Sequence, residues 1–93
     1  MSEEDIYKQV EENAEPLEDA FSRIMGEEVD MDVDVENQKV YLEPAPKNGD
    51  HGKKPDIEEA ISESLGAEHR LVYGGFKTGN KDRKHYELER VWR

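Results

Sequence analysis

Asp30, Asp32, Asp34 and Glu36 alternate with Val29, Met31, Val33 and Val35. A row of carboxylates can do two kinds of chemistry: hold a hard cation, or present an anionic face to a basic macromolecule. The cation option fails on spacing. Asp30, Asp32 and Asp34 match the first three ligand positions of a helix-loop-helix calcium site. The sixth position then needs glycine and has Val35, and the twelfth needs glutamate and has Tyr41. The interleaved apolar residues demand an extended strand, not a loop wrapped round an ion. Carboxylates on one face of a strand stand about 6.6–6.8 Å apart. Aspartate is a poor strand former, and like charges side by side repel. A solvated outer face would be built with less self-repulsion from threonine, serine or mixed charges. The row reads as a solvated outer face or, on the ground of that self-repulsion, as a surface for a basic protein. Glu27 and Glu28 just before it, and Glu15, Glu18 and Asp19 before those, extend the same negative charge.

Other motifs carry less. Gly74–Lys81 reads GGFKTGNK, one place out of register with a phosphate-binding loop and followed by a strand pattern where that motif needs a helix. Lys77, Lys81, Arg83, Lys84 and His85 form one basic cluster. It reads as a solvated hairpin tip that discourages edge pairing. A phosphate contact, or pairing with the acidic half of a second copy, are its alternatives. His51, His69 and His85 stand at no metal-binding spacing, and no serine sits in a nucleophile-elbow context. Trp92, with Tyr86 and Leu88, is expected to close the core. The chain is thus expected to have no catalytic residue, cofactor or metal, and not to be an enzyme.

The elements that must position these residues follow from periodicity. Residues 3–13 predict a polar helix with Ile6 and Val10 on one side. From Pro16 to Met25, Leu17, Phe21 and Ile24 form one apolar stripe that stops at Gly26. Residues 28–36 switch to period two, a strand, and Val40 and Leu42 continue it in a return strand over 39–43, with Asn37–Gln38 as the turn. Residues 44–55, rich in proline and glycine, predict a loop. Asp56 is expected to cap a third helix whose stripe is Ile57, Ile61 and Leu65 and whose end is Gly66. Residues 70–77 and 85–92 predict a second hairpin with a loop over 78–84; Gly74 and Gly75 suggest a bulge. No internal repeat is visible in the sequence, although a helix followed by a hairpin occurs twice. The expected fold class is α+β, in the order α-α-β-β-α-β-β, with an antiparallel sheet of two hairpins and the helices on one face.

Composition bounds the rest. Ninety-three residues suit one domain, 1–93. Apolar residues are 33% and charged residues 40%, so a core exists only because the apolar residues are grouped on faces. Without cysteine there is no disulfide framework, which fits a cytoplasmic setting. No apolar run approaches the ~18 residues of a membrane span. The charge is lopsided. Fifteen acidic and three basic residues precede Lys47, a formal −12; nine acidic and ten basic residues follow, a formal +1. One-sided acidity argues against direct nucleic-acid binding and against anionic membranes, and for a positively charged protein partner. In charge and size the chain resembles small DNA-mimicking inhibitors. That resemblance implies a basic nucleic-acid-binding protein as partner, contacted through Glu15, Glu18, Asp19, Glu27, Glu28, Asp30, Asp32, Asp34 and Glu36. The alternative is an assembly subunit or homodimer whose acidity serves solubility.

Overall fold

The computed structural model describes residues 3–46 and 53–92. Its elements are α1 (Glu3–Glu12), α2 (Ala14–Met25), β1 (Asp30–Asp34), β2 (Lys39–Glu43), α3 (Lys53–Leu65), β3 (His69–Lys77) and β4 (Asn80–Arg90). The expected α+β order is present, and the four strands form one antiparallel sheet in the order β1-β2-β4-β3. Met31, Val40, Leu42, Leu71 and Tyr86 point to one face and are buried against Val10, Leu17, Phe21, Ile57 and Ile61 of the helices. Period two on the strands and the helical stripes thus meet in one core. No helix among the described residues is long and apolar enough to cross a membrane.

Several boundaries depart from the sequence expectation, each for a local reason. Both α2 and α3 begin before their prolines, with Pro16 and Pro55 in the first turn. Backbone N–H groups there have no helical acceptor, so a residue lacking one is tolerated. Asp56 is consequently a first-turn acid of α3, not its cap. The 44–55 loop shortens at its far end, and residues 47–52 of it lie outside the described residues. The second hairpin turns at Thr78–Gly79, and β4 starts at Asn80, so the charged run 80–84 is strand, not loop. Trp92 is 77% exposed with the Arg90 guanidinium 4.0 Å from its ring centre; it does not close the core.

The structure contains an internal repeat that the sequence conceals. Glu18 on α2 accepts a hydrogen bond from the Met31 N–H of β1 (3.1 Å), thirteen residues on; Glu58 on α3 does the same for Leu71 of β3 (2.7 Å), also thirteen on. Ser22 accepts from the Val29 N–H, and Ser62 from the His69 N–H, seven residues on in each case. Gly26 and Gly66, both at positive φ, end the two helices with N–H bonds to the Ser22 and Ser62 carbonyls. The two halves meet at the Val40–Tyr86 pair, in a row that runs Val33, Val40, Tyr86, Tyr73 across all four strands. That register relates the halves by an approximate two-fold axis. The helix carboxylates serve a purpose in it. β1 and β3 are the sheet's edges, and open edge N–H groups would otherwise invite another strand. Helix α1 stands outside the repeat: its Tyr7 hydroxyl accepts the Leu88 N–H (2.8 Å), on a part of β4 that runs past its pairing with β2.

Tyr86 lies at the centre of this arrangement and is 2% exposed. Burial, and secondarily Tyr73, pushes its phenol up to about 12 from an ordinary value of 10.0. The unfolded chain ionises this group from about pH 10, whereas the native chain holds its proton. Stability is therefore full below pH 10 and falls between about pH 10 and 12, by roughly 2–3 kcal/mol in total. Tyr86→Phe should remove that loss, because its hydroxyl makes only a long bond (3.5 Å) to the Pro46 carbonyl. Urea melts at pH 8 and pH 11 check this; an equal alkaline loss in both proteins would refute it.

Candidate charged surface

The outer face of the first hairpin carries Asp30 and Asp32 on β1, with Tyr41 and Glu43 beside them on β2. Asp30, Asp32 and Asp34 of the expected carboxylate row lie on β1, whereas Glu36 falls in the turn that follows, because the strand ends at Asp34. What sequence reading missed is Arg83. From β4 its guanidinium reaches Asp32 (Nη2 to Oδ2, 3.2 Å), Glu43 (Nη1 to Oε2, 3.3 Å) and Asp30 (Nη1 to Oδ2, 3.4 Å). Arg83 is nearly enclosed, its side chain 14% exposed, while those of Asp30 and Asp32 are 69% and 70% exposed. One guanidinium thus relieves the repulsion among three carboxylates, and the carboxylates keep their outer oxygens in water. No sequence signal could pair Arg83 with Asp30, because the contact spans the sheet through β2.

The other acids divide by role. Glu18 is occupied at the β1 edge. Asp34 shapes the turn after β1: its carboxylate accepts bonds from the Asn37 side-chain amide (2.8 Å) and backbone N–H (3.1 Å). Those bonds hold the Asp34 carboxyl below its ordinary value, with the side-chain bond the larger cause. The turn they brace covers residues 35–38, with Gln38 at φ +56°, so it is a four-residue loop and not the two-residue Asn37–Gln38 turn. Glu36 is exposed within it. Glu15 and Asp19 are exposed on α2, and Glu27 and Glu28 are exposed on the link from α2 to β1. Glu18 ties α2 to the β1 edge, while Glu15 and Asp19 on α2 and Asp30 and Asp32 on β1 are exposed. Among the described residues the cations near these acids include Arg83, Lys39 opposite Asp34, and the exposed Arg23.

Three members of the basic cluster, Arg83, Lys84 and His85, lie along β4 beyond the hairpin tip. Arg83 serves the carboxylates, the Lys84 ammonium lies 5.7 Å from the Tyr73 ring centre, and His85 packs beside Tyr41 with ring centres 5.7 Å apart. The Lys77 and Lys81 side chains lie outside those described. Next to Arg83 the outer face dips into a recess of about 360 Å³, lined by Asp32, Tyr41, Phe76, Thr78, Arg83 and His85. The glycine bulge of β3 makes room for the His85 ring: a Cβ at Gly74 would stand 2.5 Å from the His85 Nε2. Among the described residues no group of three or more histidines or carboxylates is placed to hold a metal ion.

Comparison with protein-family models, with curated proteins and with solved structures yields no match to this chain.

Proposed function

We propose that this protein is a non-enzymatic acidic binding module that engages a basic protein surface, of the kind a nucleic-acid-binding protein offers to DNA, and blocks it. The observation that supports this reading is the exposure of Glu15, Asp19, Glu27, Glu28, Asp30 and Asp32 on the edge strand β1 and on the helix and link that lead into it. Carboxylates on a helix, a loop and a strand approximate a duplex's charge density better than one strand alone, since duplex DNA carries a charge per about 1.7 Å of axis. The exposed acids of α2 and the α2–β1 link are free of the structural duties of Glu18 and Asp34, so they are the residues to test. Affinity capture from cell extract at low salt should retain basic proteins that high salt, or excess duplex DNA, releases. The variant Glu15→Gln, Asp19→Asn, Glu27→Gln, Glu28→Gln should bind the purified partner on the order of tenfold more weakly at low salt, with a shallower salt dependence. Unchanged affinity in that variant would end this reading.

A second reading, assembly with another copy or a larger complex, is favoured by one observation. Val72, Tyr73 and Phe76 on edge strand β3 are 38%, 39% and 50% exposed. A defined oligomer that survives both high salt and the fourfold variant would support it, and a monomer at high concentration would remove it.

A further inference from the structure

We propose that two copies of this chain join through the far half of strand β3, which pairs with itself antiparallel about a two-fold axis and runs one sheet into the other. This rests on the assembly reading and names its partner and its interface; the acidic-surface reading is independent of it. The edge of β3 is open beyond Leu71. Leu88 directs its N–H at Tyr7, away from β3, and its partner Leu71 directs its own at Glu58, away from β4. Such orientation alternates along an antiparallel pair, so Tyr73, opposite Tyr86, also turns its N–H and C=O away from β4. After the bulge, the pairing of Phe76 with Lys84 turns the Phe76 N–H the same way. The helix carboxylate that occupies the Leu71 N–H guards the start of the edge, and β3 runs on past it to Lys77.

The two-fold repeat supplies the contrast. On β1 the residue equivalent to Tyr73 is Val33, and it lies between Asp32 and Asp34, charges that discourage another strand. Tyr73 lies between Val72 and Gly74, and β3 holds no acid along its length. Val72, Tyr73 and Phe76, large apolar side chains left exposed, flank this same stretch, as at a contact surface. Charge then selects the occupant. Residues 1–46 carry a formal −12 and residues 47–93 a formal +1. A second copy that meets β3 with its own β3 brings the near-neutral halves together and leaves the acidic halves at the two far ends of the joined sheet. A basic partner, by contrast, finds no carboxylate on β3 to bind. Because both copies use the same patch, the contact closes and assembly stops at two.

The test follows the full chain by sedimentation and by amide hydrogen exchange at rising protein concentration. A dimer should form, and the Tyr73 and Phe76 amides should become protected as it does. Salt should strengthen it, lowering the dissociation constant roughly 3- to 10-fold from low to physiological ionic strength, because each chain carries a formal −11 and their repulsion is screened. That sign is opposite to the one expected for a basic partner on the acidic surface. Val72→Lys with Phe76→Lys, at exposed positions outside the core, should weaken the dimer on the order of tenfold or more. Its urea midpoint should match the unaltered protein's at a dilution where both are monomers. If that variant does not fold, the exchange and salt results on the unaltered protein decide. A monomer at every concentration overturns this pairing and the assembly reading together. An oligomer whose Tyr73 and Phe76 amides stay unprotected, that salt weakens, that grows beyond two copies, or that the double variant forms as tightly overturns the pairing and leaves the assembly reading standing.

Discussion

Phe21→Ala is expected to cost about 3–5 kcal/mol, through lost transfer energy and the cavity left behind. Phe21 is fully buried on α2 and belongs to the contiguous core cluster with Leu17, Met31, Val40 and Ile61. A chain of this length has ~5–14 kcal/mol of total stability at the usual per-residue range. The substitution therefore removes a large fraction of the whole. The two-fold arrangement sharpens the expectation. Ile61 on α3 is the residue equivalent to Phe21 and is equally buried, so Ile61→Ala should fall in the neighbouring range of about 2–5 kcal/mol. Asp19→Asn, on the solvent side of α2, should stay within about 0.5 kcal/mol. Urea unfolding of the three variants checks the order. A loss below about 1.5 kcal/mol for Phe21→Ala would mean that α2 is not seated on the sheet as described.

Arg83→Met is expected to destabilise the fold by about 1–2 kcal/mol, and in a way that salt reverses. Without the guanidinium, Asp30 stands directly opposite Glu43 across the β1–β2 pair, with Asp32 next along the same face. The carboxylates are well hydrated, so each contact is worth less than a buried pair would be. Raising salt to 1 M, where screening acts over about 3 Å, should recover most of the loss. Asp30→Asn with Asp32→Asn should rescue Arg83→Met yet mildly destabilise the unaltered protein, whose nearly enclosed Arg83 would lose two of its three anionic partners. That last sign reverses the simplest reading of the sequence, in which removing clustered charge leaves the fold intact or more stable. Equal loss for Arg83→Met at low and high salt would show that Arg83 contributes through packing and not through charge.

The Arg83 contact shows where sequence reading stops. Hydrophobic period is a local property, so the stripes Leu17–Phe21–Ile24 and Ile57–Ile61–Leu65 and the alternation of residues 29–35 could be read directly as two helices and a strand. The class of the fold followed, because two hairpins and amphipathic helices can bury their apolar faces only against each other. Helix starts were less legible. Pro16 and Pro55 look like boundaries, and only a first-turn position makes them harmless. Thr78–Gly79 was hidden because the following charged residues read as loop, when their partners lie on neighbouring strands.

What the chain by itself determined is the kind of each element, the residues that form the core and the one-sided distribution of acid. Only the tertiary structure decided the strand order, the two-fold repeat, the exposure of Trp92 and the recess at Tyr41. It also decided that Glu18 and Asp34 shape the backbone, that Arg83 sits among Asp30, Asp32 and Glu43, and that Glu15, Asp19, Glu27 and Glu28 remain as open charge. The physical reason is range. Periodicity acts between residues a few positions apart, whereas the pairing of Asp30 with Arg83 or of Glu58 with Leu71 depends on which strand lies next to which, and that is settled only when the sheet closes over its core.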